Sequence, residues 1–107
     1  MSDFASFEEL RSLVYTGISG TYAAIGDPFD HPIKLICLTN NTNGDMIFSD
    51  DGVTNKLFIP AGSFKLFDLT TNRHPRDENY ALRRNTQLYV KQSTVPTSGS
   101  VYVECLF

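Results

Sequence analysis

From residue 10 onward the chain alternates apolar and polar residues in short runs, and this period of two points to β-structure more firmly than any other feature. In "PIKLICLTN" (32–40), Ile33, Leu35, Cys37 and Thr39 face one way and Lys34, Ile36, Leu38 and Asn40 the other. Apolar residues on both faces predict a strand covered on both sides and central in its sheet. "DMIFS" (45–49) and "KLFIP" (56–60) read as short strands flanking "DDGVTN", where Asp51-Gly52 supplies the positive φ of a tight hairpin. "SFKLFDLT" (63–70) follows the turn signal Pro60-Ala61-Gly62, with Gly62 as its structural turn residue. "TQLYVKQS" (86–93) and "GSVYVECLF" (99–107) are predicted to pair as a hairpin through "TVPTS". In the last strand Val101, Val103, Cys105 and Phe107 share one face.

The first thirty residues carry mixed signals. Ser6-Phe7-Glu8-Glu9 fits a capping box, which predicts a short helical turn around residues 4–10. "SLVYTGIS" and "GTYAAIG" then read as strands, and the proline-containing "DPFDHP" as a turn. About eight short strands at near-regular spacing define an all-β protein, a single-domain antiparallel β-sandwich or barrel, jelly-roll-like or immunoglobulin-like. The expected organisation is an N-terminal arm over 1–9 and one sandwich over 10–107, with a long non-periodic loop at 72–84. At 107 residues such a domain can bury roughly 65% of its unfolded surface, enough for a core without staples.

Charge and targeting signals narrow the role. Nine Lys+Arg against twelve Asp+Glu give a net charge of −3, so there is no global basic field of the kind that drives nucleic-acid binding, and no sequence-specific nucleic-acid partner is expected. The N-terminus, Met1-Ser2-Asp3-Phe4, has no basic and apolar leader, and no apolar run reaches the roughly 18 residues of a membrane span. Synthesis in the cytoplasm without secretion, and no membrane partner, are the expectations. Cys37 and Cys105 sit among alternating apolar neighbours, where reduced, buried thiols are expected in place of a disulfide.

Nothing in the sequence assembles a catalytic motif. A calcium loop started at Asn41 would need glycine where Met46 stands and glutamate where Gly52 stands, so Asp45, Asp50 and Asp51 read as turn residues. His31 and His74 each precede a proline and lack the spaced partner of a metal site. Phosphate loops, Cys-x-x-Cys pairs and nucleophile elbows are missing. No enzyme, cofactor or metal is expected. Tyr89 and Tyr102 could form a stacking platform, although strand aromatics more commonly pack into a core. Arg73, Arg76, Arg83 and Arg84 in the long loop are suited to forked pairing with carboxylates at an interface.

"LTNNTNGDMIFSDDG", "LFIPAGS", "FDLTTN", "LYVK" and "PTSGSVYVE" together resemble small virion structural proteins of tailed bacteriophages, over roughly residues 33–104. The resemblance implies a virion location and a non-enzymatic, β-rich subunit repeated as a homo-oligomer. Such a subunit belongs to the head-tail connector or neck, the tail, or the capsid decoration. Its partners would be copies of itself and other virion proteins. The apolar arm residues Phe4, Phe7 and Leu10 and the arginine loop are then the expected interface elements. The alternative is a small carbohydrate-binding module, which would show stacking aromatics on one face; tryptophan is absent from the chain.

Overall fold

The alternating runs become eight strands in a computed structural model that describes residues 6–68 and 84–107. They are β1 (Arg11–Val14), β2 (Ala23–Ala24), β3 (Leu35–Thr42), β4 (Met46–Ser49), β5 (Leu57–Ile59), β6 (Phe64–Asp68), β7 (Tyr89–Gln92) and β8 (Gly99–Leu106). A single 3₁₀ turn over Tyr15–Gly17 cuts short the strand predicted from "SLVYTGIS". Among the described residues every strand pairing is antiparallel.

The pairing pattern has a simple origin. β1 pairs with β8, β2 with β7, β3 with β6 and β4 with β5, so the chain is one long hairpin whose tip lies at residues 50–56. Winding this hairpin brings β8 against β3 and β7 against β4. Two four-stranded sheets result, ordered β1-β8-β3-β6 and β2-β7-β4-β5. This is the jelly-roll winding, which decides between the two sandwich topologies expected from sequence.

Alternation places the core. Ile36 and Leu38 of β3 and Val101, Val103 and Cys105 of β8 point inward from the first sheet. Met46, Phe48, Ile59 and Val90 meet them from the second, all buried, with Ile25, Phe29 and Ile33 closing the ends from loops. A fully buried apolar side chain of this kind contributes about 1.5–3 kcal/mol. One inward position is polar. Asn40 is fully buried, and its amide nitrogen donates to the carbonyls of Gly44 and Ile59, each at 2.9 Å. Its amide oxygen accepts from the Thr42 amide at 3.1 Å and the Thr42 hydroxyl at 2.6 Å. Because Asn40 lies on β3 and Ile59 on β5, this network ties one sheet to the other.

Three local expectations are corrected. No helical turn forms over 6–10: Phe7 bridges Leu106, and the Ser6 and Phe107 backbones exchange hydrogen bonds at 3.0 and 2.8 Å. The unpaired end of β8 offers backbone partners that a single isolated helical turn would forgo. β7 and β8 do not form a hairpin, because "TVPTS" carries the chain from the second sheet to the first. β3 is central as expected but covered on one side only; Leu35, Cys37 and Thr39 on its outer face are half-buried.

Candidate assembly surface

The acidic loop at the hairpin tip is satisfied from within. One carboxylate oxygen of Asp51 accepts from the Ser49 hydroxyl at 2.6 Å and from the Val53 and Thr54 amides at 2.9 Å each. The Ser49 hydroxyl in turn accepts from the Asp51 and Gly52 amides, both at 3.1 Å. These bonds, the Ser49 hydroxyl foremost, hold the Asp51 carboxyl well below the usual carboxylate range. Gly52 has φ 73°, the positive value expected of it, and Gly62 likewise turns the chain with φ 73°. Asp50 pairs with Lys56 at 2.6 Å, and the Tyr22 hydroxyl donates to Asn55 Oδ1 at 2.6 Å. Among the described residues no group of three His, Cys, Asp or Glu is placed to hold a metal.

The two tyrosines considered as a stacking platform do not share a surface. Tyr89 lies on β7 in the second sheet, with its ring beneath Gly52, and Tyr102 lies on β8 in the first. An apolar cleft of about 250 Å³ opens between the sheets beside Phe67, Leu57 and Leu88. Its polar neighbours are the rim residues Ser49, Asp50 and Lys56, so it offers shape with few groups to orient a ligand.

The cysteines also separate. Ile36 lies opposite Cys105 and Cys37 opposite Glu104, so Cys105 faces the core and Cys37 the outer surface of the same sheet. Both are free thiols, as expected, but Cys37 is only half-buried. Burial pushes the Cys105 thiol up to about 12. A thiol reagent is therefore expected to modify Cys37 in the native chain and Cys105 only on unfolding. Two thiols reacting at one rate under native conditions would contradict this placement.

What the structure exposes most conspicuously is the outer face of the first sheet. Residues directly opposite in an antiparallel ladder lie on one face, and this rule groups the side chains. Leu66 stands opposite Cys37, Phe64 and Tyr102 flank Thr39, Leu106 stands opposite Leu35, and Phe7 stands opposite Leu106. Phe7 is 85% exposed, Phe64 63% and Leu66 54%. Asp68 and Glu104 stand on the same face, opposite Leu35 and Cys37, so the exposed apolar side chains form clusters beside two carboxylates. Large apolar groups exposed on several strands of one sheet face mark it as a candidate contact face. Phe7 and Leu10 of the predicted arm are both exposed, and Phe7 is a continuation of this face. Phe4, Arg73, Arg76, Arg83 and His74 lie outside the described residues; Arg84 is exposed. Phe64 and Leu66 were not singled out from sequence. Phe64 and Leu66 share one alternation of "FKLF" and Phe67 the other, and only the edge position of β6 leaves the first pair exposed.

No protein-family model matches this sequence, and no curated protein matches it. Solved structures that resemble the fold include the following two. One is a subunit described under Bacillus endospore appendages that form disulfide-linked pili, with TM-score 0.52 and 13% identity over 96% of this chain and 87% of that one. The other is the SPP1 Dit protein, described as a paradigm of the hub adsorption apparatus in phages infecting Gram-positive hosts, with TM-score 0.44 and 12% identity. It covers 98% of this chain and 49% of that one. At such identities the first likeness supports the sandwich architecture.

Proposed function

We propose that this protein is a non-enzymatic structural subunit of a tailed-bacteriophage virion, repeated in the particle and held there by protein–protein contacts. The observation that carries the proposal is the outer face of the first sheet, where Phe7, Leu35, Leu66, Phe64 and Leu106 lie on one side with the carboxylates of Asp68 and Glu104 among them. Burial of such a face is worth about 25 cal/mol per Å² of apolar area, which favours a chain that spends its working life against a neighbour. The sequence resemblance points to the same class, and jelly rolls are a common subunit architecture in viral shells, although the fold by itself also serves lectins. Copies of this chain and other virion proteins are the partners that the reading requires. The arm at 1–9 and the arginine loop at 72–84 would extend the contact beyond the sheet.

The test is direct. Mass spectrometry of purified phage particles is expected to detect the chain at a stoichiometry of several copies per particle. A Leu66→Lys variant, changed at an exposed site, is expected to fold with the wild-type circular dichroism spectrum yet be depleted from particles in a complemented infection. Absence of the wild-type chain from particles would end the virion assignment. Normal incorporation of Leu66→Lys would leave the chain a virion protein but remove this face from its contacts.

A further inference from the structure

Residues 6–8 attach to the sandwich through backbone bonds and one buried carboxylate. Ser6 donates to the Phe107 carbonyl at 3.0 Å, Phe107 donates back at 2.8 Å, and Glu8 donates to the Cys105 carbonyl at 3.1 Å. Nothing apolar from this segment enters the core, since Phe7 projects outward at 85% exposure. The inward side chain is Glu8, whose carboxylate is only 3% exposed. Oε1 accepts from Arg11 Nη2 at 3.1 Å, and Oε2 pairs with His31 Nδ1.

The partners of Glu8 are themselves fixed. Arg11, 5% exposed, donates through Nε to the Asp27 carbonyl at 2.6 Å, through Nη1 to the Glu9 carbonyl at 2.7 Å and through Nη2 to the Pro28 carbonyl at 3.0 Å. Its guanidinium also lies 4.8 Å from the centre of the Phe29 ring. His31 stacks on Phe107 at 3.7 Å between ring centres and 2° between planes. A strand added to β8 by hydrophobic burial would be indifferent to pH. This one is fastened by a buried carboxylate between the Arg11 guanidinium and the His31 ring nitrogen, and a buried carboxylate that loses its charge loses most of what compensates its burial.

We propose that the Glu8 carboxylate is a charge latch that holds residues 6–8 on the end of β8, and that acid releases this segment while the sandwich stays folded. The ionisable groups facing Glu8 are Arg11 on β1, His31 in the loop before β3 and the Cys105 thiol beneath it on β8. Burial pushes the Glu8 carboxyl upward, but the hydrogen bonds from His31 and Arg11 outweigh it and hold the group below the ordinary glutamate range. A depressed folded-state value fixes the sign. The latch contributes fully above the ordinary glutamate range and is lost as pH falls through the lowered value. Release would free the Phe7 side chain from its place beside Leu106. This inference concerns the chain alone and stands whether or not the assembly reading does.

Amide hydrogen exchange of the full chain, followed by NMR, tests it. Between pH 6 and pH 2.5 the protection factors of the Glu8 and Phe107 amides are expected to fall at least tenfold, while the hydrogen-bonded amides in the middle of the β3–β8 ladder keep theirs. In Glu8→Gln the same two amides are expected to be at least tenfold less protected already at pH 6, with no further fall on acidification. Unchanged protection in the wild type would overturn the latch. So would a Glu8→Gln chain that keeps the wild-type pH dependence, or a loss of protection at the same pH throughout β3 and β8.

Discussion

Gly99→Ala is expected to cost about 4 kcal/mol or more, enough to unfold a typical small domain in part or in full. A Cβ at this position would lie 1.9 Å from the Asn41 carbonyl oxygen and 2.9 Å from the Thr42 Cα, both backbone atoms that a rotamer change cannot move. The φ of 93° adds strain that an L side chain rarely tolerates. Gly99 opens β8 opposite Thr42, at the point where the chain enters the first sheet, so displacement there disturbs the longest ladder in the fold. Gly62→Ala is the control. It shares a positive φ of 73° but has nothing within 4 Å of the new Cβ, and is expected to cost about 1 kcal/mol. Urea denaturation of both variants reads the difference, and equal losses would show that the close approach at Gly99 is relieved elsewhere.

Asn40→Ala is expected to cost about 3 kcal/mol, against about 0.5 kcal/mol or less for the exposed neighbour Asn41→Ala. The alanine removes the donor to the Gly44 and Ile59 carbonyls and the acceptor for both Thr42 groups. Gly44 keeps the Thr42 hydroxyl at 2.9 Å, so the larger part of the penalty falls on Ile59 and on the link between the sheets. Thermal unfolding of the two variants is the measurement. A loss at Asn40 no greater than at Asn41 would mean that water replaces the amide at no cost.

Asn40 also shows where reading the sequence stops. The alternation around β3 and β8 was legible because strand period is a property of neighbouring residues, and it placed Ile36, Leu38, Val101, Val103 and Cys105 on faces that prove to be buried. The same alternation put Asn40 on the face of Ile36 and Leu38, but nothing local announces that four hydrogen bonds await it there. Partner choice was less legible. "TVPTS" has the composition of a hairpin loop, yet β7 finds β4 and β8 finds β3, a decision made by the winding of the whole chain. Ser6-Phe7-Glu8-Glu9 carries a helix signal that the free end of β8 and the pocket formed by Arg11 and His31 override. Of the candidate contact residues, Phe7 stood out as an apolar residue in an arm. Phe64 and Leu66 did not, because two-sided apolar strands are ordinarily buried and β6 is an edge.

The mirror pairing of the strands also governs how the chain can be assembled in time. Bringing β1 to β8 directly would close a loop of nearly the whole chain before any contact rewarded it. Pairing β4 with β5 first closes only the short tip at 50–56, and with that in place β3 and β6 have little slack left between them. Each pairing in this sequence shortens the loop that the next must close, so the long-range contacts of the finished sandwich are reached through a series of small entropic steps. The tip whose acidic residues resemble a binding loop is therefore the cheapest place for folding to start. The bonds from the Val53 and Thr54 amides to Asp51 are local in sequence, so the turn they fix needs no sheet to support it.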